Sequence, residues 1–223
     1  MFARKHQSTT GGVSFTEHGM LIGSNPALGR QAQKSKNTRE KILNSAISLI
    51  KEGGFSAASA SRIAERAGIT WGAAQHHFGS KEDILDAVMT ISHEKFIARV
   101  SAPHLRTGTL ADRVESFVDC MWEHYQDDAY LAALEILLAG REINGHSPTM
   151  ATFEQQAREH IETLREVFHD SDLTDEQLQE ALIFVHCLLT GLTIEKVLEK
   201  ELHGEQRHLR RCKLMLLTAI NNL

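Results

Sequence analysis

At 223 residues and 42% hydrophobic, the chain can form one large domain or two small ones around a sizeable core. Its net charge of −5 argues against a nucleic-acid binder until the charge is located: residues 1–41 hold seven Lys or Arg against two Glu, a net +5, so the remainder carries −10. Three scattered cysteines exclude a disulfide framework and fit a reducing cytoplasm, no apolar run approaches the ~18 residues of a membrane span, and Arg4 and Lys5 lack the apolar segment of a signal peptide behind them.

Residues 1–36 are rich in Gly, Ser, Thr, Gln and Asn, show no periodicity and read as a flexible basic tail, with Met20 an alternative start of translation. Thr38 is placed to N-cap a first helix, in which Ile42, Leu43, Ala46, Leu49 and Ile50 recur at helical spacing and which Gly53-Gly54 ends. Phe55 follows as a core anchor. Ser59 or Ser61 caps a short second helix holding Ile63, Ala64 and Ala67. Gly68 permits a positive φ at the turn, Ile69 fills the wedge, and Thr70 caps a third helix through about Phe78. Gly79-Ser80 breaks it, and Lys81 opens a long fourth helix. Further helices are expected over 81–101, 110–127, 129–142, 149–169, 174–201 and 205–221, the fifth of these begun by a capping box of Thr174 and Gln177. The chain therefore reads as all-α, with about nine helices: a tail (1–36), a three-helix unit (37–82) and a larger helical body (83–223).

Two short helices joined by a turn with a glycine are the physical content of a helix-turn-helix, and small residues at Ala64 and Ala67 let the second helix approach the first. The segment Ser61–Leu85, SRIAERAGITWGAAQHHFGSKEDIL, resembles the DNA-binding signature of TetR-family regulators through Ile63, Ala64, Ala67, Gly68, Ile69, Thr70, Gly72, His77, Phe78 and Lys81. With the preceding helix the resemblance covers about 45 residues; beyond that the chain agrees with the family only in length and helix count. It implies that Ser59, Thr70, His77, Lys81, Lys36 and Arg39 meet phosphates, and that Trp71, Ala73, Gln75 and His76 face the bases. Gln75 stands where the family usually has Tyr. Trp71, where the family often has a small polar residue or Lys, either meets DNA or covers a protein surface. Ile63 and Phe78 read as core. The bland alternative for the whole window is a helical hairpin without a DNA role.

The acidic body is by the same resemblance a domain for effector binding and homodimerisation. Its last two helices carry more apolar residues than one buried face needs, so they are expected to pair with a second copy, burial in one monomer core being the alternative. A dimer presents two recognition helices to a palindromic duplex operator. Met89, Phe96, Phe117, Met121, Trp122, Tyr125, Leu137, Phe153 and His186 are the candidate lining of a cavity for an unidentified, largely apolar small-molecule effector, with solid core packing as the other reading and a satisfied core histidine as the other role of His186. Thirteen histidines prompt a search for metal ligands. The two Glu-x-x-His strings, Glu166–His169 and Glu205–His208, lie near helix ends among polar neighbours at the frequency chance supplies. No metal, cofactor or catalytic constellation is expected, and no membrane. The expected function is a ligand-released repressor; the alternatives are a regulator whose body binds a protein or no ligand, and a helical metalloenzyme.

Overall fold

The computed structural model describes residues 26–140 and 150–222, and among them it contains nine α-helices, two single 3₁₀ turns and no strand. The order is α1 (Pro26–Gly53), α2 (Ala60–Ala67), α3 (Trp71–Phe78), α4 (Lys81–Val100), α5 (Leu110–Tyr125), α6 (Asp128–Gly140), α7 (Met150–Val167), α8 (Asp175–Glu199) and α9 (Glu205–Asn222), with the 3₁₀ turns at Phe55–Ala57 and Pro103–Arg106. The expected extension of the sixth helix to 142, the start of the seventh at 149 and the tail before residue 26 lie outside the described residues.

The first helix departs from expectation. It begins at Pro26, a residue suited to a first helical turn, so residues 26–36 are helical rather than tail. Thr38 is not its cap: it sits mid-helix and donates its hydroxyl to the carbonyl of Lys34. The apolar stripe starts only at Ile42, so the early turns of α1 stand clear of the core with Lys34 and Lys36 exposed.

Elsewhere the helix ends follow local chemistry. Ser59 caps α2 by accepting from the Arg62 amide, Gly68 closes it at φ 71°, and Thr70 caps α3 by accepting from the Ala73 amide. Ser80 with Asp83, Thr109 with Asp112, and Thr174 with Gln177 form capping boxes at the starts of α4, α5 and α8.

Two apolar cores result. The smaller joins Ile42, Ala46 and Ile50 of α1 to Ile63 of α2, Ala74 of α3, and Ile84 and Val88 of α4, and it also takes in Ala129 and Ala132 of α6. The larger joins Phe96 and Val100 of α4 to α5, α7, α8 and α9. Helix α4 is thus common to both. Arg113 of α5 is nearly fully buried in the larger body, donating to the Gly108 carbonyl at 2.7 Å and pairing with Asp170 beyond α7.

Helix α8 corrects the expectation that no apolar run reaches span length. An 18-residue window within it has mean hydropathy 1.7, enough by length and composition to cross a bilayer. The structure shows why such a helix arises in a packed body: Leu178, Val185 and Leu189 are buried, while Ile183, Ile194, Val197 and Leu198 are apolar on other faces and exposed.

Candidate nucleic-acid interface and ligand cavity

Ala74 anchors α3 in the smaller core, which turns Gly72, Ala73, Gln75 and His76 outward. Trp71 is half-buried against that core, as are His77 and Phe78. Thr70 is exposed; its oxygen accepts from Ala73 at 3.2 Å, which leaves the hydroxyl proton to donate elsewhere. Arg39 of α1 is already engaged: its guanidinium donates to the His77 carbonyl at the end of α3 and lies 3.9 Å from the centre of the Phe78 ring. Lys81 is half-buried with its ammonium 4.7 Å from the centre of the Phe55 ring. Both cations therefore hold the helix-turn-helix together as well as charging its surface. Lys36 is exposed on α1, and Ser59 is spent on capping α2.

The second feature is a half-open cavity of about 430 Å³ between α4, α5, α6, α7 and α8. Its walls are mostly apolar, with polar groups concentrated on imidazoles and phenols. His124 is nearly fully buried. Burial, and then the neighbouring Arg99 cation, push its pKa down to about 4. Burial, and then His93, do the same to His160, also to about 4. His186 is lowered by burial and bonds through Nδ1 to the Tyr125 hydroxyl. Burial raises the phenols of Tyr125 and Tyr130. The two tyrosine rings lie 4.3 Å apart, and Tyr130 also bonds Thr190 at 3.0 Å. At the edge, His93 of α4 bonds Glu159 of α7 at 2.7 Å. Behind the cavity, Asp127 bonds Lys95 at 2.8 Å, Arg99 at 3.0 Å and the Ala129 amide at 2.9 Å. Burial raises the Asp127 pKa, but these three donors outweigh it and hold the carboxyl down to about 2.

Residues 42–88 match the sequence profile of the bacterial regulatory proteins of the tetR family. The HTH-type transcriptional regulator BetI of Escherichia coli O17:K52:H18 is 29% identical over 192 residues, which cover 82% of this chain and 95% of BetI. A TetR family transcription regulator from Marinobacter aquaeolei superposes with a TM-score of 0.64 at 16% identity, covering 86% of this chain and 98% of that one. SmeT, the repressor of a Stenotrophomonas maltophilia multidrug efflux pump, does so at 0.56 and 21% identity, covering 81% and 89%. The chain belongs to the TetR family. It is a TetR-family helix-turn-helix transcriptional regulator, and its all-α fold is that of the solved TetR-family structures it resembles.

Within this TetR-family fold, Met89, Phe96, Met121, Tyr125, Leu137 and His186 line the cavity. Phe117 and Trp122 do not. Phe117 packs edge-on to Phe168 in the larger core, and Trp122 donates its indole N–H to Glu205 at 3.1 Å with the Lys196 ammonium over its ring. The side chain of Phe153 lies outside the described residues. Sequence reasoning missed Ser92, His93, His124, Tyr130 and His160, all of which line the cavity. The Glu-x-x-His strings are accounted for by packing: Glu166 pairs with Arg106 and Glu205 with Lys196. No group of three or more His, Cys, Asp or Glu among the described residues is placed to hold a metal.

Proposed function

We propose that this regulator is a homodimeric repressor, acting in the cytoplasm where its operator lies, that reads a palindromic duplex through α3 and is released by a small molecule in the α4–α8 cavity. The observation that carries the reading is that α4 and α6 each contribute both to the cavity wall and to the packed core beneath α3. Anything that fits the cavity better when α4 or α6 is displaced also displaces the DNA-reading unit.

In this reading residues 37–82 form the DNA-binding unit and 83–223 the effector and dimer body. Gln75, His76 and Ala73 face the bases, with Trp71 beside them. Thr70, Lys36, Lys81 and the end of α3 at His77 address phosphate, Arg39 holds α3 against α1, and Ser59 fixes α2. The helical start of α1 makes its cations a rigid basic arm alongside the duplex. Exposed Ile194, Val197 and Leu198 of α8 with Leu214 and Met215 of α9 supply the dimer face. The cavity, large enough for a small organic molecule, favours an effector over a partner protein. The repressor sign is in keeping with SmeT, itself a repressor.

The test is fluorescence anisotropy on duplexes from the regulator's own upstream region at several salt concentrations. Nanomolar binding at one site is expected, with Gln75→Ala/His76→Ala losing about 1–3 kcal/mol there and little elsewhere. Lys36→Ala is expected to weaken all sequences alike and to lower the slope of log K against log salt by about 0.9. Weak binding equal on every duplex and indifferent to the α3 variants would refute operator reading by α3.

A further inference from the structure

The cavity contains a polar group that the protein itself leaves unused. His124 sits in the last turn of α5, with 4% of its surface exposed. The Arg99 guanidinium approaches its Nδ1 at 3.4 Å. A guanidinium has only hydrogens to offer, so Nδ1 accepts and the proton of the neutral ring resides on Nε2. The ring is neutral at pH 7 because its pKa is about 4. Arg99 is itself held by Asp127 at 3.0 Å, so the tautomer is fixed by a chain of two bonds rather than by one contact. Nε2, on the other side of the ring, has no hydrogen-bond partner among the described residues and is open to the cavity. A donor left unpaired in an apolar cavity costs on the order of 1–3 kcal/mol, a cost that a ligand oxygen removes.

The surroundings restrict what brings that oxygen. None of the described lining residues is Asp, Glu, Lys or Arg, so a charged ligand would be stripped of water without a counter-charge. The wall around His124 is aromatic: Phe96 is edge-on to it at 5.4 Å, and Tyr130 at 5.1 Å. His160 contributes a second ring edge, 4.4 Å from Phe96. Such walls favour a flat ring system.

We propose that the effector is a flat, uncharged ring compound bearing a carbonyl-type oxygen, and that the Nε2–H of His124 is the donor that recognises it. This rests on the reading of the cavity as the effector site. Arg99 acts as a positioning residue: it sets the tautomer and does not touch the ligand.

The test compares 1-indanone with indane, bicyclic molecules of the same outline that differ by one carbonyl. Binding to the full-length protein is followed by NMR titration, with ¹⁵N-labelled histidine reporting the imidazole tautomers. The wild type is expected to prefer 1-indanone about tenfold, with the His124 Nε2–H signal moving on 1-indanone and not on indane. His124→Phe is expected to bind the two alike, and Arg99→Met to lose the tautomer bias. Should His124→Phe fail to fold, the wild-type preference and tautomer decide alone. Equal binding of both compounds to the wild type, or a proton on Nδ1, overturns the donor role while leaving the cavity as a small-molecule site. Binding of neither compound overturns both readings.

Discussion

Replacing His124 by Phe is expected to flatten the pH dependence of stability between pH 7.5 and pH 5. In the folded chain the His124 pKa is about 4, against 6.5 for a free imidazole. Between those values the unfolded chain binds the proton and the folded chain does not, so stability is whole above pH 6.5 and falls as the pH drops towards 4. At pH 5 a group with these two values costs about 2 kcal/mol. His160 has the same pair of values but is only half-buried, so water screens part of its cost. Phe suits the site because His124 already packs edge-on to Phe96, Tyr125 and Tyr130. The assay is urea unfolding followed by circular dichroism at pH 7.5 and 5.0, at one fixed protein concentration, since a dimer's stability depends on it. The wild type should lose about 2 kcal/mol more than the variant over that range. A difference below roughly 0.5 kcal/mol, within the error of extrapolation, would refute the assignment of His124 as a buried neutral imidazole.

Three further outcomes are expected. Leu198→Glu with Leu214→Glu puts charge on the exposed apolar faces of α8 and α9 and should convert a dimer to monomer in sedimentation velocity, with helix content retained. Arg113→Met should change unfolding free energy by less than about 1.5 kcal/mol, because Met keeps the packed stem, Asp170 returns to water, and an Nε that has no partner is removed; Arg113→Ala, which leaves a cavity, should cost about 2–5 kcal/mol. Gly68→Ala meets no atom within 4 Å but must hold φ 71°, so thermal unfolding should show a loss of about 1–2 kcal/mol from the backbone alone.

What the sequence disclosed depended on the range of the interactions involved. The helix-turn-helix is written in contacts a few residues long: Ser59 to Arg62, Thr70 to Ala73, a left-handed Gly68 between them. Such features are legible because nothing distant decides them. The early turns of α1 were hidden for the opposite reason. A helix exposed on every side has no apolar period, and Pro26 among Gly and Ser residues does not announce a helix start. The cavity was half legible. Met89, Phe96, Met121, Tyr125 and Leu137 were found as large apolar or aromatic residues on helices of the body. His124, Tyr130 and His160 reach one another from three helices, and no spacing records which faces meet. Helix α5 shows the difficulty: it is buried on nearly all sides, so Phe117 turns to Phe168 and Trp122 to Glu205 while Met121 and Tyr125 turn to the cavity.

Helix α6 shows how occupancy of the cavity would reach the DNA-reading unit. Ala129, Ala132 and Ile136 fall on one stripe, in the smaller core with α1 and α4, while Tyr130, Ala133, Leu134 and Leu137 fall on the next and face the cavity. Alanines at the contact with the small core leave no side-chain rotamers to absorb a displacement. A shift of α6 forced by a ligand against Tyr130 or Leu134 therefore passes to α1 as movement of backbone against backbone. The start of α6 is tied to α4 as well, because Asp127, which accepts from the Ala129 amide, is held by Lys95 and Arg99. The two helices that share both cores are thus coupled at the cavity end, and neither can move there without straining the ion pairs that hold His124 in its tautomer. In the proposed regulator a differential of about 1.4 kcal/mol between the two arrangements weakens operator binding tenfold. One hydrogen bond to His124, made in only one arrangement, is of that size.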